Sequence, residues 1–187
     1  MSNEPSNAPT LPDPIIQHNP YNHLYDVVVI GGGLCGLAAA LTARMEGRQV
    51  LLAERRAALG WELTSAFHAE LGRSEQPVAH MIYRRINAIG GILDGRTDQP
   101  TVEVALDMLV QEHEIDLLLF SQPGRIETGS QAVTGVWLAS KGGEQCVRGR
   151  VFVDATEAGL LWQQTDVSWR RTGRHPVRQS LFLNFAR

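Results

Sequence analysis

The sequence predicts an α/β fold: a parallel sheet flanked by helices, joined to an antiparallel β-meander. Three observations carry this. Up to Phe120, short β-branched or apolar runs alternate with longer stretches of helical period. Between residues 125 and 148 the pattern shortens to strand-like runs separated by Gly-containing turns. A last apolar run, residues 150–154, then has the character of the first.

Taken in order, residues 27–30 are four apolar, β-branched side chains, as a central strand buried on both faces requires. The turn Gly31-Gly32-Gly33 follows. Leu34, Leu37, Ala38, Leu41 and Met45 form one apolar stripe of a helix that Gly47 can stop. Residues 50–53 form a second strand ending at Glu54. Residues 55–67 read as a loop with Gly60-Trp61 at its middle. Val78, Ile82, Ile86 and Ile89 mark a helix over 77–89, closed by Gly90-Gly91. Val102, Ala105, Leu106, Leu109 and Val110 mark another over 101–113. An apolar strand at 117–120 comes next. Residues 125–129, 133–139 and 144–148 form the meander, and residues 150–154 return to the parallel sheet, ending in Asp154-Ala155-Thr156-Glu157-Ala158-Gly159.

The chemistry sits in the first turn. Gly31, Gly33 and Gly36 have the G-x-G-x-x-G spacing, set between a strand and a helix and followed by an acidic residue, Glu54, at the end of the next strand. Gly31 permits the tight turn, Gly33 lets bare backbone approach a diphosphate, and Gly36 lets helix and strand pack closely. Leu34 and Cys35 continue the same turn into the helix. Unpaired N–H groups and the positive dipole end of that helix favour an anion. Glu54 is placed for ribose hydroxyls and would repel a 2′-phosphate, which disfavours NADP despite Arg55 and Arg56. This is a Rossmann-type arrangement for a dinucleotide cofactor.

Composition narrows the function classes. The chain has 187 residues, 43% of them hydrophobic, enough for a packed core. A net charge of −3 and a pI near 6.1 give no electrostatic footprint for nucleic acid or an anionic membrane. The N-terminal residues 1–24, rich in Pro and Asn, read as a flexible tail and not as a signal peptide or membrane span. The two cysteines, Cys35 and Cys146, make neither a disulfide framework nor a metal site and fit a reducing, cytoplasmic setting. Cys35 reads as a small packed side chain. The six histidines are scattered without ligand spacing, so no metal is expected.

From Asp26 to Leu161 the chain resembles the FAD-dependent oxidoreductases whose dinucleotide domain is of the glutathione-reductase type. The resemblance rests on the stretch from Asp26 to Glu54, on Val104-Ala-Leu-Asp-Met-Leu-Val-Gln, on Val133-Thr-Gly-Val and on Val151-Phe-Val-Asp-Ala-Thr-Glu. It implies FAD as cofactor, since the meander followed by Asp-Ala-Thr sets these proteins apart from simple NAD dehydrogenases. It also implies Gly31, Gly33 and Gly36 at the diphosphate, Glu54 at the ribose, Arg55 near the adenosine half, and Ala155 and Thr156 walling the phosphate side. Trp61 stands where many members have a second Gly, and Leu160 where relatives usually have an acidic residue.

The resemblance further implies a FAD-binding domain over 25–162 and the start of an incomplete substrate domain over 163–187. No catalytic residue is identifiable. The basic cluster Arg170, Arg171, Arg174, His175 and Arg178 reads as a solvated interdomain loop, and Glu157 as a turn cap. Three arrangements are open: a truncated copy of a longer oxidoreductase acting on a small molecule, one subunit of a split enzyme, or a non-catalytic FAD-binding module. An NAD-dependent dehydrogenase is the rival enzyme class. An apolar strand at 181–185 calls for a covering partner subunit or second copy.

Overall fold

A computed structural model describes residues 21–168 except 67, 69, 72–74 and 131. The elements run β1 Leu24–Ile30, α1 Leu34–Met45, β2 Val50–Ala53, α2 Trp61–Thr64, α3 Pro77–Ala88, β3 Ile92–Leu93, β4 Arg96–Thr97, α4 Gln99–Glu112, β5 Asp116–Leu118, β6 Gln122–Thr128, β7 Val133–Ser140 and β8 Gly143–Asp154. A short 3-10 turn, Trp162–Gln164, follows. The parallel sheet, helices and meander of the sequence reading are all present, and the meander is built into the same sheet.

That sheet has six strands in the order β5-β2-β1-β8-β7-β6. β5, β2, β1 and β8 run parallel, while β8, β7 and β6 are antiparallel. The sequence reading divides the return strand at Gly149; the structure has one strand instead. Residues 143–148 of β8 pair with β7 and residues 148–154 pair with β1. Gly149 sits at the handover, where a Cβ would stand 2.7 Å from Val28 Cγ2. Close packing under the strand, not a turn, explains that glycine.

The helices build one core on the sheet. Leu37, Ala40 and Leu41 of α1, Ile82 and Ile86 of α3, and the five predicted positions of α4 pack with Val29, Val50 and Leu52. The buried face of α1 is therefore Gly36, Leu37, Ala40 and Leu41, while Met45 at the end of the predicted stripe is exposed. Ile89 likewise falls at the C-cap of α3 and is exposed. On the other face, Tyr25, Val28, Ile30, Leu51 and Ala53 pack against Val136, Leu138 and Val147, so the antiparallel half covers the parallel half.

The ends follow local chemistry. α1 and α3 close on Gly47 and Gly90 with positive φ, and the following N–H groups reach back to Ala43 O and Ile86 O. α4 begins at Asp98, whose carboxylate accepts the Thr101 N–H at 3.2 Å. The hairpin β3–β4 turns at Asp94-Gly95, both at positive φ, an Asp-Gly turn absent from the sequence reading. The strand expected over 117–120 is β5, Asp116–Leu118, because Phe120 takes a positive φ and leaves the sheet.

The buried Tyr25 phenol donates to Asp116 Oδ2 at 2.7 Å, linking β1 to β5 across β2. Burial first, and then the Asp116 carboxylate, push the phenol well above the usual tyrosine range. A raised folded-state value means its contribution is complete below the unfolded value and is lost as pH rises through the folded one. Resistance to thermal unfolding is therefore expected to fall as the pH climbs beyond about 10. Tyr25→Phe should flatten that alkaline limb and lower stability at neutral pH by about 1–3 kcal/mol; an unchanged alkaline limb would show that Tyr25 does not carry it.

Candidate functional site

The parallel strands β1, β2 and β8 end side by side, and their following turns meet. From β1 the chain steps one way to β2 and β5, while β8 lies on its other side. The C-terminal end of β1 is therefore a topological switch point, where open α/β sheets hold ligands.

Backbone packing shapes the place. Gly31 has φ +108°, and a Cβ there would stand 2.4 Å from Ala155 O. A Cβ on Gly36 would stand 1.8 Å from Gly31 O. The Ala155 N–H donates to Ile30 O and the Gly31 N–H to Ala53 O, each at 2.8 Å. Only glycine lets three chain segments come this close.

Asp154 fixes the turn after β8. Its Oδ1 accepts from Thr156 N–H at 3.1 Å and Thr156 Oγ1 at 2.6 Å; its Oδ2 accepts from Leu161 N–H at 2.8 Å and Trp162 N–H at 3.0 Å. The carboxylate thus folds residues 155–162 around itself.

Glu54 is buried at the end of β2. One oxygen accepts the Gly32 N–H at 2.6 Å; the other accepts the Arg56 N–H at 2.8 Å and lies 3.4 Å from Arg56 Nη1. Glu157 faces it from the β8 turn, 2.6 Å from Arg56 Nη2 and 3.3 Å from Arg55 Nη2. Burial on its own would lower the Arg56 pKa, but Glu157 and then Glu54 outweigh it and hold the guanidinium above its ordinary value. The same guanidinium lies over the Trp61 ring, 5.1 Å from its centre.

The structure thereby places the predicted residues as follows. Gly31, Gly33, Glu54, Arg55, Ala155 and Thr156 line one cleft of about 120 Å³. Leu34, Cys35 and Gly36 stand outside its walls: Leu34 opens α1, Cys35 is exposed and Gly36 is buried under Gly31. Sequence reasoning did not single out Arg56, Trp61 or Glu62 for the site. Glu157, read there as a turn cap, instead pairs with both arginines. The region read as loop holds α2, which starts at Gly60 with φ +62° and carries Glu62 to α1, where the Leu34 N–H lies 3.0 and 3.1 Å from the two carboxylate oxygens.

The turn suits a diphosphate in its bare backbone, and the N–H groups of Cys35 and Gly36 in the first turn of α1 take no partner among the described residues. Among the described residues no group of His, Cys, Asp and Glu could hold a metal ion, and no helix is long and apolar enough to cross a membrane. The basic cluster 170–178 and the apolar run 181–185 lie outside the described residues.

Fold and cleft define a dinucleotide-binding α/β domain of the kind oxidoreductases use. A match to the FAD dependent oxidoreductase family covers residues 26–184, and the chain belongs to that family, whose cofactor is FAD. Among solved structures it is similar to AlpK, with 23% identity and a TM-score of 0.54 over 72% of this chain and 31% of that one. It is also similar to the myxobacterial chondrochloren halogenase CndH, described as a variant of FAD-dependent halogenases, at 21% identity and TM-score 0.51 over 71% of this chain and 37% of that one. THI4 of Thermovibrio ammonificans follows at 18% identity and TM-score 0.53, covering 71% and 56%. These likenesses show the fold, and the chain spans less than two thirds of each of those proteins. A search of curated proteins finds no match.

Two substitutions test the architecture. Gly36→Ala, forced against Gly31 O, should cost about 2 kcal/mol or more by denaturant unfolding. Asp154→Ala strips the β8 turn of its acceptor and should cost about 2–4 kcal/mol. A wild-type midpoint in either variant would mean the turns relax freely.

Proposed function

We propose that this chain holds the adenosine diphosphate half of FAD, as the cofactor-binding part of an oxidoreductase that acts on a small molecule. The observation that carries the proposal is the cleft where the turns after β1 and β8 meet, a contact so close that Gly31 has no room for a Cβ. In this reading the first turn of α1 and the bare Gly31–Gly33 backbone receive the diphosphate. Glu54 offers its remaining lone pairs to the ribose, and Arg55 and Arg56 flank the adenosine side. Thr156, fixed by Asp154, walls the phosphates.

Bound FAD supplies oxidation and reduction at its ring system, away from the diphosphate. The described residues hold and orient the far end of the cofactor, and no acid or base aimed at a flavin ring is identifiable among them. Substrate binding and turnover therefore fall to residues beyond 168, to a partner subunit or to a second copy of the chain. The sparse, unpaired cysteines are what supports a reducing, cytoplasmic setting in this reading.

The purified chain, incubated with FAD and dialysed, should retain one FAD per chain. ADP should compete with it, and riboflavin, which lacks the diphosphate, should not. Preference for NADH over FAD would move the chain to the NAD-linked dehydrogenases. Failure to retain FAD or ADP would remove the proposal, and flavin that no partner or substrate can reduce would leave a cofactor-holding module.

A further inference from the structure

Resting on the FAD reading, we infer that Glu62 is an internal stand-in for the cofactor's diphosphate, holding the anion position at the start of α1 until the cofactor displaces it. The geometry is that of a bound anion. Both Glu62 carboxylate oxygens lie within hydrogen-bond distance of the Leu34 N–H, at 3.0 and 3.1 Å. No other side chain caps α1: its N-cap is Gly33, with no cap of its own, and its first turn has no acidic residue. A carboxylate brought in from α2 supplies the negative charge that the helix end favours.

The second observation is steric. Gly33 is the glycine whose missing Cβ should leave space for a phosphate, and that space is filled from within the chain. A Cβ there would stand 2.8 Å from Glu62 Oε1 and 3.0 Å from Trp61 Nε1. The cofactor's phosphate and the pair Trp61-Glu62 therefore compete for one volume.

Charge favours the same exchange. Glu54 and Glu157 pair with Arg55 and Arg56 around the cleft, so those charges already balance, and Glu62 adds a third carboxylate at the start of α1. A diphosphate adds two further negative charges, and a carboxylate held at the same helix end would repel them. Glu54 is buried and tied to two backbone N–H groups, so it stays. Glu62 is half-buried on a helix of four residues whose anchors are the buried Leu63 and Thr64. Its side chain can swing out while those anchors hold. Glu62 thus stabilises the empty site and weakens the cofactor's apparent affinity by the fraction of chains in which it is displaced.

The test is titration calorimetry with ADP and FAD on wild type, Glu62→Gln and Glu62→Ala, with melting of the ligand-free proteins alongside. Glu62→Gln is expected to bind ADP about tenfold more tightly while melting lower when empty. A carboxylate with a merely structural role would lower both quantities together. Equal or weaker ADP binding by both variants beside measurable wild-type binding overturns the inference and leaves the FAD reading standing. Binding of neither ligand by any of the three removes both. Wild type alone gives a further reading: saturating ADP should change the Trp61 emission, identified against Trp61→Phe, and an unmoved emission overturns the inference.

Discussion

Everything at the cleft depends on how closely three stretches of backbone approach one another. Gly31 carries the chain off β1 against Ala155, and Gly36 lies under the carbonyl of Gly31. A single methyl group at either place would push α1 away from the ends of β1 and β8. The strand ends, the helix N-terminus and the β8 turn would then no longer face the same space. The Asp154 carboxylate gathers four donors because this turn must hold its shape without a regular element behind it.

Above that backbone frame lies a belt of charge. Glu54 reaches the first turn, Glu157 reaches the arginines after β2, and Glu62 reaches α1 from a separate short helix. Each carboxylate comes from a different segment, and each accepts from donors at or beside the cleft. Buried or half-buried donors left empty are costly, so a chain able to exist without its cofactor benefits from acceptors of its own. Arg55, Glu157, Arg56 and Glu54 form a chain of ion pairs beside the glycine turn, with Glu62 held separately at the start of α1.

Much of this was legible in the sequence, for reasons that can be stated. The five apolar positions of α4 are the five that are buried, because a helix against a sheet must show one continuous stripe. Gly31 and Gly36 could be read because steric exclusion leaves a residue-type signature. Met45 misled because it continues the helical period beyond the point where α1 still faces the sheet. The continuity of β8 was hidden by Gly149, which resembles a turn residue but is required by packing on Val28. Glu62 carried no local signature at all. Its role arises from a tertiary approach between α2 and α1 that no periodicity records.

β8 also governs how the domain is assembled. The central strand β1 has one neighbour, β2, a short distance along the chain, but its other neighbour is the end of β8, where Val27 pairs with Val151. During synthesis the whole of α1 to β7 emerges while one edge of β1 has no partner, and the sheet closes only when β8 clears the ribosome. Pairings of such separation are entropically slow and leave apolar strand edges open to wrong partners. The cleft, walled by the residues just after β8, is therefore among the last features of the domain to form, and a chain ending before β8 cannot present it.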